Sequence, residues 1–496
     1  VGLRYDGTHS NEVEMTASDL ALLIIGLILT FDVVAVITLI FFERRDPESI
    51  LSWLFAVITL PVVGFVLYLL FGFKYFKTRA FGLKSTGDQA VLSRVRKGLE
   101  QSVRDETEQN LGELVAFPDL ARLLWADSAA FLTAGNLVDV YTDGNQKFEA
   151  LFEAIRDAKS HIHLEYYILR DDALGERLLA ALEAKAREGV QVRLLYDDLG
   201  NKIPRERYRK LTAQGARVSG FYRALFPSVS LRLNYRNHRK IAVIDGTVGF
   251  LGGFNVGEEY LGLGPLGPWR DTAVRIRGAA VRSLQLRFVL DWNYATKEGL
   301  TLGGSYFSAS PKVGSASIQI VSGGPDTTWN PPREEYVKIV NSARRTCYLQ
   351  TPYFIPDVSV MTALRIAALS GVDVRIMIPS KADQPFVHWA SLSNVGELLE
   401  AGVRVFGYNE GFLHAKTVTV DDYVTSVGTA NWDLRSFKWN FETNAVIYDR
   451  ELGEKYRRIF EDDMKRCTEI TKPSYAARSR STRFKESTCR LFSGAL

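Results

Sequence analysis

The stretch FLHAKTVTVDD, residues 412–422, places one of only six histidines two residues before a lysine and seven before an aspartate. In an extended strand, side chains two apart share a face. That reading puts His414, Lys416, Val418 and Val420 on one side, and Ala415, Thr417 and Thr419 on the other. An imidazole beside an ammonium makes a poor core and a good anion site. A lone His-x-Lys on a strand is ordinarily a solvated face, but this one has a second copy. NHRKIAVID, residues 237–245, carries His238, Lys240 and Asp245 at the same spacing. After six intervening residues beyond each aspartate comes a small-residue turn closed by asparagine: GGFN, ending at Asn255, and GTAN, ending at Asn431. Such recurrence marks an internal repeat.

The repeat extends outward. AKSHIHLEYYIL (158–169) matches ARRTCYLQTPYFI (343–355) loosely, and EGVQVRLLYDD (188–198) matches SGVDVRIMIPS (370–380). Phe148, Leu151, Phe152 and Ile155 fall on one face of the amphipathic helix before the first copy. The apolar runs 192–196 and 374–378 suit strands covered on both faces. Each half therefore reads as strand, helix, buried strand and His-Lys strand. Two α/β lobes facing each other across a pseudo-twofold would bring both His-Lys strands to one cleft.

These motifs resemble the phospholipase D superfamily, whose mark is a duplicated H-x-K-x-x-x-x-D. With TPYFIPD, GTANWDLRSFKWNFETN and the apolar N-terminal RRDPESILSWLFAVITLPVVGFVLYLLFG, the chain looks within it like the bacterial cardiolipin synthases. The resemblance implies an α/β fold of two phospholipase D-type lobes preceded by a two-helix transmembrane hairpin. It also implies phosphatidyl transfer between two phosphatidylglycerols through a phosphohistidine. His238 would be the nucleophile and His414 the acid/base. Lys240, Lys416, Asn255 and Asn431 would hold the phosphate oxygens. Asp271 in WRDT and Glu442 in NFET resemble the acids that orient the histidines. Asp245 and Asp421 complete the motif and in the family serve structure more than chemistry. Arg435 in DLRS is a candidate phosphate clamp, since a guanidinium fork suits phosphate oxygens. Gly253 and Thr429 stand where many superfamily members carry serine.

Histidines with pKa near 6.5 can divide the work near neutral pH, one neutral and attacking, the other protonated and donating. The remaining histidines lack that context. His161 and His163 alternate on a strand without a lysine, His9 lies in the tail, and His388 starts a helix beside Trp389. Tyr166, Tyr167, Tyr353 and Phe354 are candidate lining for a partly apolar pocket. No cluster has zinc or calcium spacing, and the chemistry requires neither metal nor cofactor.

Length and composition permit more than one core, and a net charge of +4 decides little. After an N-terminal tail (1–18), residues 19–42 and 51–71 are apolar runs long enough to cross ~30 Å of hydrocarbon as helices. Asp32 interrupts the first, and Pro61 and Gly64 lie in the second. Arg44 and Arg45 occupy the short loop, while Lys74, Lys77, Arg79 and Lys84 follow the second run. This favours a multi-pass protein of the bacterial inner membrane with its catalytic region on the cytoplasmic side. Three cysteines form no disulfide framework. Residues 72–130 read as a charged, partly helical linker. Lobes span 131–305 and 312–470, and a basic tail spans 471–496, either disordered or lying on anionic lipid. The expected partners are phosphatidylglycerol and anionic membrane lipids. Nucleic acid is not expected, for want of an aromatic–basic platform, and a homo-oligomer is left open. The rival readings are a membrane-bound phospholipase D that hydrolyses lipids, a nuclease on the same fold, and a scaffold with a decayed site.

Overall fold

The structure is a computed structural model that describes residues 16–42, 47–60, 62–68, 84, 86–88, 90–92, 117–221, 235–307 and 311–491. It divides into two compact units, Val1–Ala80 and Phe81–Leu496.

In the first unit a helix of 26 residues runs over Ala17–Phe42, close to the expected 19–42. The second apolar run is not one helix. It forms Pro47–Thr59 and a short Val63–Leu67. The break lies between Thr59 and Val63, where the sequence has a proline, a residue type without the N–H that a helical bond needs. Phe31 meets Phe65 edge-on at 4.9 Å, so the segments pack on one another. The side chain of Asp32, the loop arginines and residues 69–83 lie outside the described residues. Counted over the described residues alone, no helix is long and apolar enough to cross a membrane.

The second unit is built on a 16-stranded sheet. From one edge the strands run Arg217–Gly220, Gln191–Tyr196, His161–Tyr166, Ile241–Ile244, Val248–Gly252, Ala273–Arg277 and Thr133–Tyr141. There the first repeat meets the second. Thr133–Tyr141 pairs antiparallel with Ala316–Gly323. The order then reverses through Asn440–Tyr448, Val424–Gly428, Thr417–Val420, Thr346–Gln350, Asp373–Pro379 and Arg404–Tyr408, with Cys467–Ile470 added at the edge. The halves do not stand apart as facing lobes. They join edge to edge, and the pseudo-twofold passes through the middle of the sheet.

The expected buried strands are present and covered on both faces. Ala242 and Ile244 pack beneath the helix Gly144–Asp157, whose Phe148, Leu151, Phe152 and Ile155 point into that core. Ile241 and Val243 face the opposite core with Val281 and Leu284 of the helix Val281–Thr296. Asp143 caps the first of these helices by accepting from the Gln146 N–H at 3.0 Å.

Two stretches read as linker and tail are folded into this unit. Leu120 and Leu124, on the helix Pro118–Ser128, are fully buried against Val321, Tyr336 and Ile339 of the second half. Their i, i+4 spacing forms the apolar stripe that a reading by charge passes over. Lys84 is buried too, 2.7 Å from Asp326 and 3.2 Å from Asp291. At the other end, Lys472–Ala476 and Arg480–Leu491 are helices. Cys489 packs with Ile355 and Ala390, so this segment is not a disordered tail.

Leu124→Ala is expected to lower stability by about 2–5 kcal/mol, as a core truncation does. A leucine in a solvated linker would change it by less than about 0.5 kcal/mol. Urea unfolding of the two proteins distinguishes these outcomes.

Candidate active site

The two His-Lys pairs lie at the ends of crossed connections. Arg236–Asn237 forms a two-residue parallel strand with Asn440–Phe441 of the other half. Phe412–Leu413 does the same with Trp269–Arg270. The His238 N–H donates to the Phe441 carbonyl at 3.0 Å, and the His414 N–H to the Arg270 carbonyl at 2.7 Å. His238–Lys240 and His414–Lys416 are therefore not strand residues, as the alternation suggested. They are irregular links, because here the chain leaves a short strand shared with the other half and enters its own sheet at Ile241 or Thr417.

Each link delivers an imidazole to the acid that follows the carbonyl it has just bonded. His238 Nδ1 lies 2.9 and 3.0 Å from the Glu442 carboxylate oxygens. His414 Nδ1 lies 2.5 Å from Asp271 Oδ2. The two acids expected to orient the histidines lie at hydrogen-bond distance from their Nδ1 atoms, each across the halves. Both pairs are buried. Lys240 Nζ donates to the His238 carbonyl at 2.6 Å. Lys416 Nζ donates to the His414 carbonyl and sits 3.0 Å from His414 Nδ1.

The surroundings of the two acids differ. Glu442 accepts from the hydroxyls of Thr429 at 2.5 Å and Ser436 at 2.8 Å, and from the Asn440 amide at 3.2 Å. The Thr429 hydroxyl is thus directed at the acid rather than at a phosphate. In the first half the matching position is Gly253, where a Cβ would lie 2.1 Å from Asp271 Oδ1. The Asp271 carboxylate fills the space that a side chain would need.

The asparagines are largely engaged. Asn255 Oδ1 accepts from the Ile168 N–H, and its Nδ2 donates to the Tyr260 hydroxyl, which lies 3.5 Å from His414 Nδ1. Asn431 is buried with Oδ1 lacking a hydrogen-bond donor, while its backbone N–H donates to the Ser436 hydroxyl. Arg435 is half-buried on the helix Leu434–Lys438. Its charge reaches the phenol of Tyr167, whose ring stands edge-on to His238 at 4.9 Å.

Asp245 and Asp421 lie apart from the reacting rings. Asp245 accepts from the N–H groups of Lys159, Ser160 and His161, all within 2.9 Å. Asp421 does the same for Arg344, Arg345 and Thr346. Both hold a positive φ, 54° and 53°. They pin the start of the neighbouring strand, and their place in the motif reflects folding.

His161 and His163 are core residues. His163 stacks on Phe288 at 4.5 Å and pairs with Gln285. Tyr166 and Phe354 are also core, whereas Tyr167 faces His238 and Tyr353 donates to Asp383 near Lys416. Tyr260 and Trp269 flank His414 at 5.8 and 5.2 Å between ring centroids.

Arg239 was not singled out from the sequence. It lies fully buried between His238 and Lys240 and reaches Asp291 at 2.6 Å, Thr443 Oγ1 at 2.9 Å and the Gly323 carbonyl at 3.1 Å. It ties the first motif to the second half. The repeat hides it, because Ala415 holds the matching place.

Burial is the main electrostatic fact of the site. It pushes the His238 imidazole down to about 4, with Lys240 and Lys416 adding to the effect and Glu442 opposing it. Burial and Lys416 push His414 down to about 3 against the pull of Asp271. Burial also lowers Lys416 to about 8 and drives Lys240 well below the usual ammonium range. Burial alone would raise Glu442, but His238 and Lys240 hold it below the usual carboxylate range. These shifts favour neutral imidazoles at both positions near pH 7, not one neutral and one charged. Each feels both lysines, so the two motifs form one electrostatic cluster.

A pair of buried imidazoles, each held at Nδ1 by a carboxylate and flanked by a lysine, defines a phospholipase D-type site for attack at a phosphodiester. The family description "Cardiolipin synthase, PLD-like domain" matches residues 151–264 and 336–464, and "Phospholipase_D-nuclease N-terminal" matches 30–72. Cardiolipin synthase 2 of Staphylococcus epidermidis is 46% identical over 461 residues, 92% of this chain and 94% of its own. Cardiolipin synthase of Oceanobacillus iheyensis is 44% identical over 476 residues, 96% and 99% of the two chains. The chain belongs to the cardiolipin synthase family of the phospholipase D superfamily. The phosphatidylserine synthase of Haemophilus influenzae shares its fold, with a TM-score of 0.57 at 14% identity, covering 76% of this chain and all of that one.

Gly253→Ala is expected to displace the Asp271 carboxylate and lower kcat at least about tenfold while the protein remains folded, since misplaced catalytic groups lose far more than that. Steady-state kinetics alongside circular dichroism check this. In NMR titration of the empty enzyme, His238 and His414 are expected to stay neutral until the pH falls below about 5, against about 6.5 for free imidazole. Inorganic phosphate is expected to raise both midpoints, because its negative charge favours imidazolium.

Proposed function

We infer that this chain joins two phosphatidylglycerols into cardiolipin and glycerol, through a phosphohistidine. The observation that carries the reading is the crossed pair His238–Glu442 and His414–Asp271. A carboxylate on Nδ1 fixes the tautomer and leaves Nε2 with its lone pair outward. Low basicity in the buried site keeps His238 unprotonated and able to attack.

His238 Nε2 bonds to phosphorus, and the bond from phosphorus to the headgroup glycerol oxygen breaks. His414 gives its proton to the departing alkoxide. It then takes a proton from the glycerol hydroxyl of a second phosphatidylglycerol, whose oxygen attacks the phosphohistidine and frees His238. A bound diester brings the negative charge that the buried cations lack, and so supports the proton on His414. It also draws Lys416 from the imidazole toward the phosphate oxygens, leaving Asp271 as the dominant partner of Nδ1. Lys240 and Lys416 hold the nonbridging oxygens as charge grows on them, with Asn431 and Arg435 at the periphery. Asn255 acts through Tyr260. Tyr167, Tyr260 and Trp269 crowd the rings and limit the access of water to the intermediate.

Membrane attachment supports transfer over nuclease action, since it holds the site where lipid diesters are abundant. Residues 19–42 and 51–71 form the anchoring hairpin of a multi-pass protein of the bacterial inner membrane, with the catalytic unit on the cytoplasmic side. The apolar runs in the sequence and the N-terminal family match over 30–72 support the hairpin, and the lysines and arginines that follow the second run support the cytoplasmic side.

Purified protein in phosphatidylglycerol vesicles is expected to yield cardiolipin and glycerol by mass spectrometry. Phosphatidic acid without cardiolipin would favour hydrolysis instead. His238→Ala is expected to abolish turnover. Glu442→Gln keeps the shape, removes the charge and is expected to lower kcat about 10²- to 10⁴-fold.

A further inference from the structure

We propose that the C-terminal helix Arg480–Leu491 is a docking surface for an anionic phospholipid bilayer, set beside the entrance to the active site. The sequence RSTRFKESTCRL is divided between two faces. Glu486 and Cys489 are buried, while Phe484 is 73% and Leu491 83% exposed. Those two apolar side chains are seven residues apart, two turns along one face. Arg480, Arg483, Lys485 and Arg490 are exposed as well. The helix's single acid, Glu486, turns inward to Arg478 at 2.6 Å. The outward face therefore carries cations and large apolar groups and no carboxylate, the composition of a helix that lies in a lipid interface. Negative headgroups complement the cations, and acyl chains accept the phenyl and leucyl groups.

The helix is joined to the site. It packs on the helix Pro385–Ser393 through Cys489 and Ala390, and the Lys485 ammonium sits 5.5 Å over the Trp389 ring. That second helix begins two residues after Asp383, which accepts from the Tyr353 hydroxyl and feels the charge of Lys416. Phe386, in its first turn, is 40% exposed. The helix Pro385–Ser393 thus joins the outward-facing helix to Asp383, which feels the charge of Lys416. Placing the docking surface here rests on the phosphatidyl-transfer reading, because a lipid diester has to leave a bilayer to reach the two rings.

The test uses the full-length protein in neutral-lipid vesicles at a fixed phosphatidylglycerol content. Phosphatidic acid is added as the anionic probe, a monoester with no headgroup alcohol to donate or accept. Wild-type turnover is expected to rise with the phosphatidic acid fraction. The double change Arg483→Gln, Lys485→Gln is expected to lower turnover about fivefold or more in these vesicles at low salt. The two proteins are expected to match in neutral detergent micelles, and in vesicles at about 0.5 M salt, where surface charge is screened. Phe484→Trp is expected to add indole emission that brominated acyl chains quench more strongly as the phosphatidic acid fraction rises. An indole that stays unquenched would overturn the proposal, as would an equal loss of turnover in micelles and vesicles. Quenching by a protein that makes no cardiolipin would sink the transfer reading and leave the docking surface standing.

Discussion

Two buried hydrogen bonds join this molecule to its chemistry, His238 to Glu442 and His414 to Asp271. Neither is made within one repeat. Each depends on a two-residue strand that the chain lends to the opposite half, and each histidine N–H is anchored to the carbonyl just before its acid. The site is therefore a property of the junction. Arg239 strengthens the junction from beneath by spanning from the first motif to Thr443 and Gly323. The edge-to-edge pairing of Thr133–Tyr141 with Ala316–Gly323 holds the halves in the register that the crossing requires. Burial then lowers the basicity of the rings and lysines together, so the whole cluster responds to any charge brought beside it.

Much of this was legible in the sequence, for a physical reason. Duplication repeats a spacing, and a spacing repeated at such distance in the chain has few explanations. It exposed the His-Lys pairs and the succession of elements within each half, and with the family resemblance it pointed to Asp271 and Glu442. The apolar stripe of the first helix and the run 192–196 were readable because burial on one face or two leaves a period. The crossing left no such trace. A strand of two residues has no periodicity, and Asn237 and Phe441 are far apart in the chain. Nor did the repeat reveal Arg239, since its counterpart is alanine.

Charge misled the reading at both ends of the catalytic unit. Residues 72–130 were read as a charged linker and 471–496 as a basic tail, yet Leu120, Leu124 and Cys489 are pinned into cores. A few apolar positions at helical spacing outweigh many solvated ones, because burial of a leucine gains more than exposure of an arginine loses. The motif aspartates taught the opposite lesson. Asp245 and Asp421 accompany the reactive groups in sequence but serve three backbone N–H groups each, at the foot of a neighbouring strand.

The dissimilarity between Gly253 beside Asp271 and Thr429 beside Glu442 has a meaning beyond local packing. Two identical subunits meeting at a true dyad would have to present the same group on either side of the substrate. A fused tandem is released from that obligation. Each imidazole here has its own surroundings, with Thr429 and Ser436 behind Glu442 on one side and Gly253 behind Asp271 on the other, so the two rings are free to differ. A tandem with unlike sides can be directional, as a receptor with two identical sides cannot.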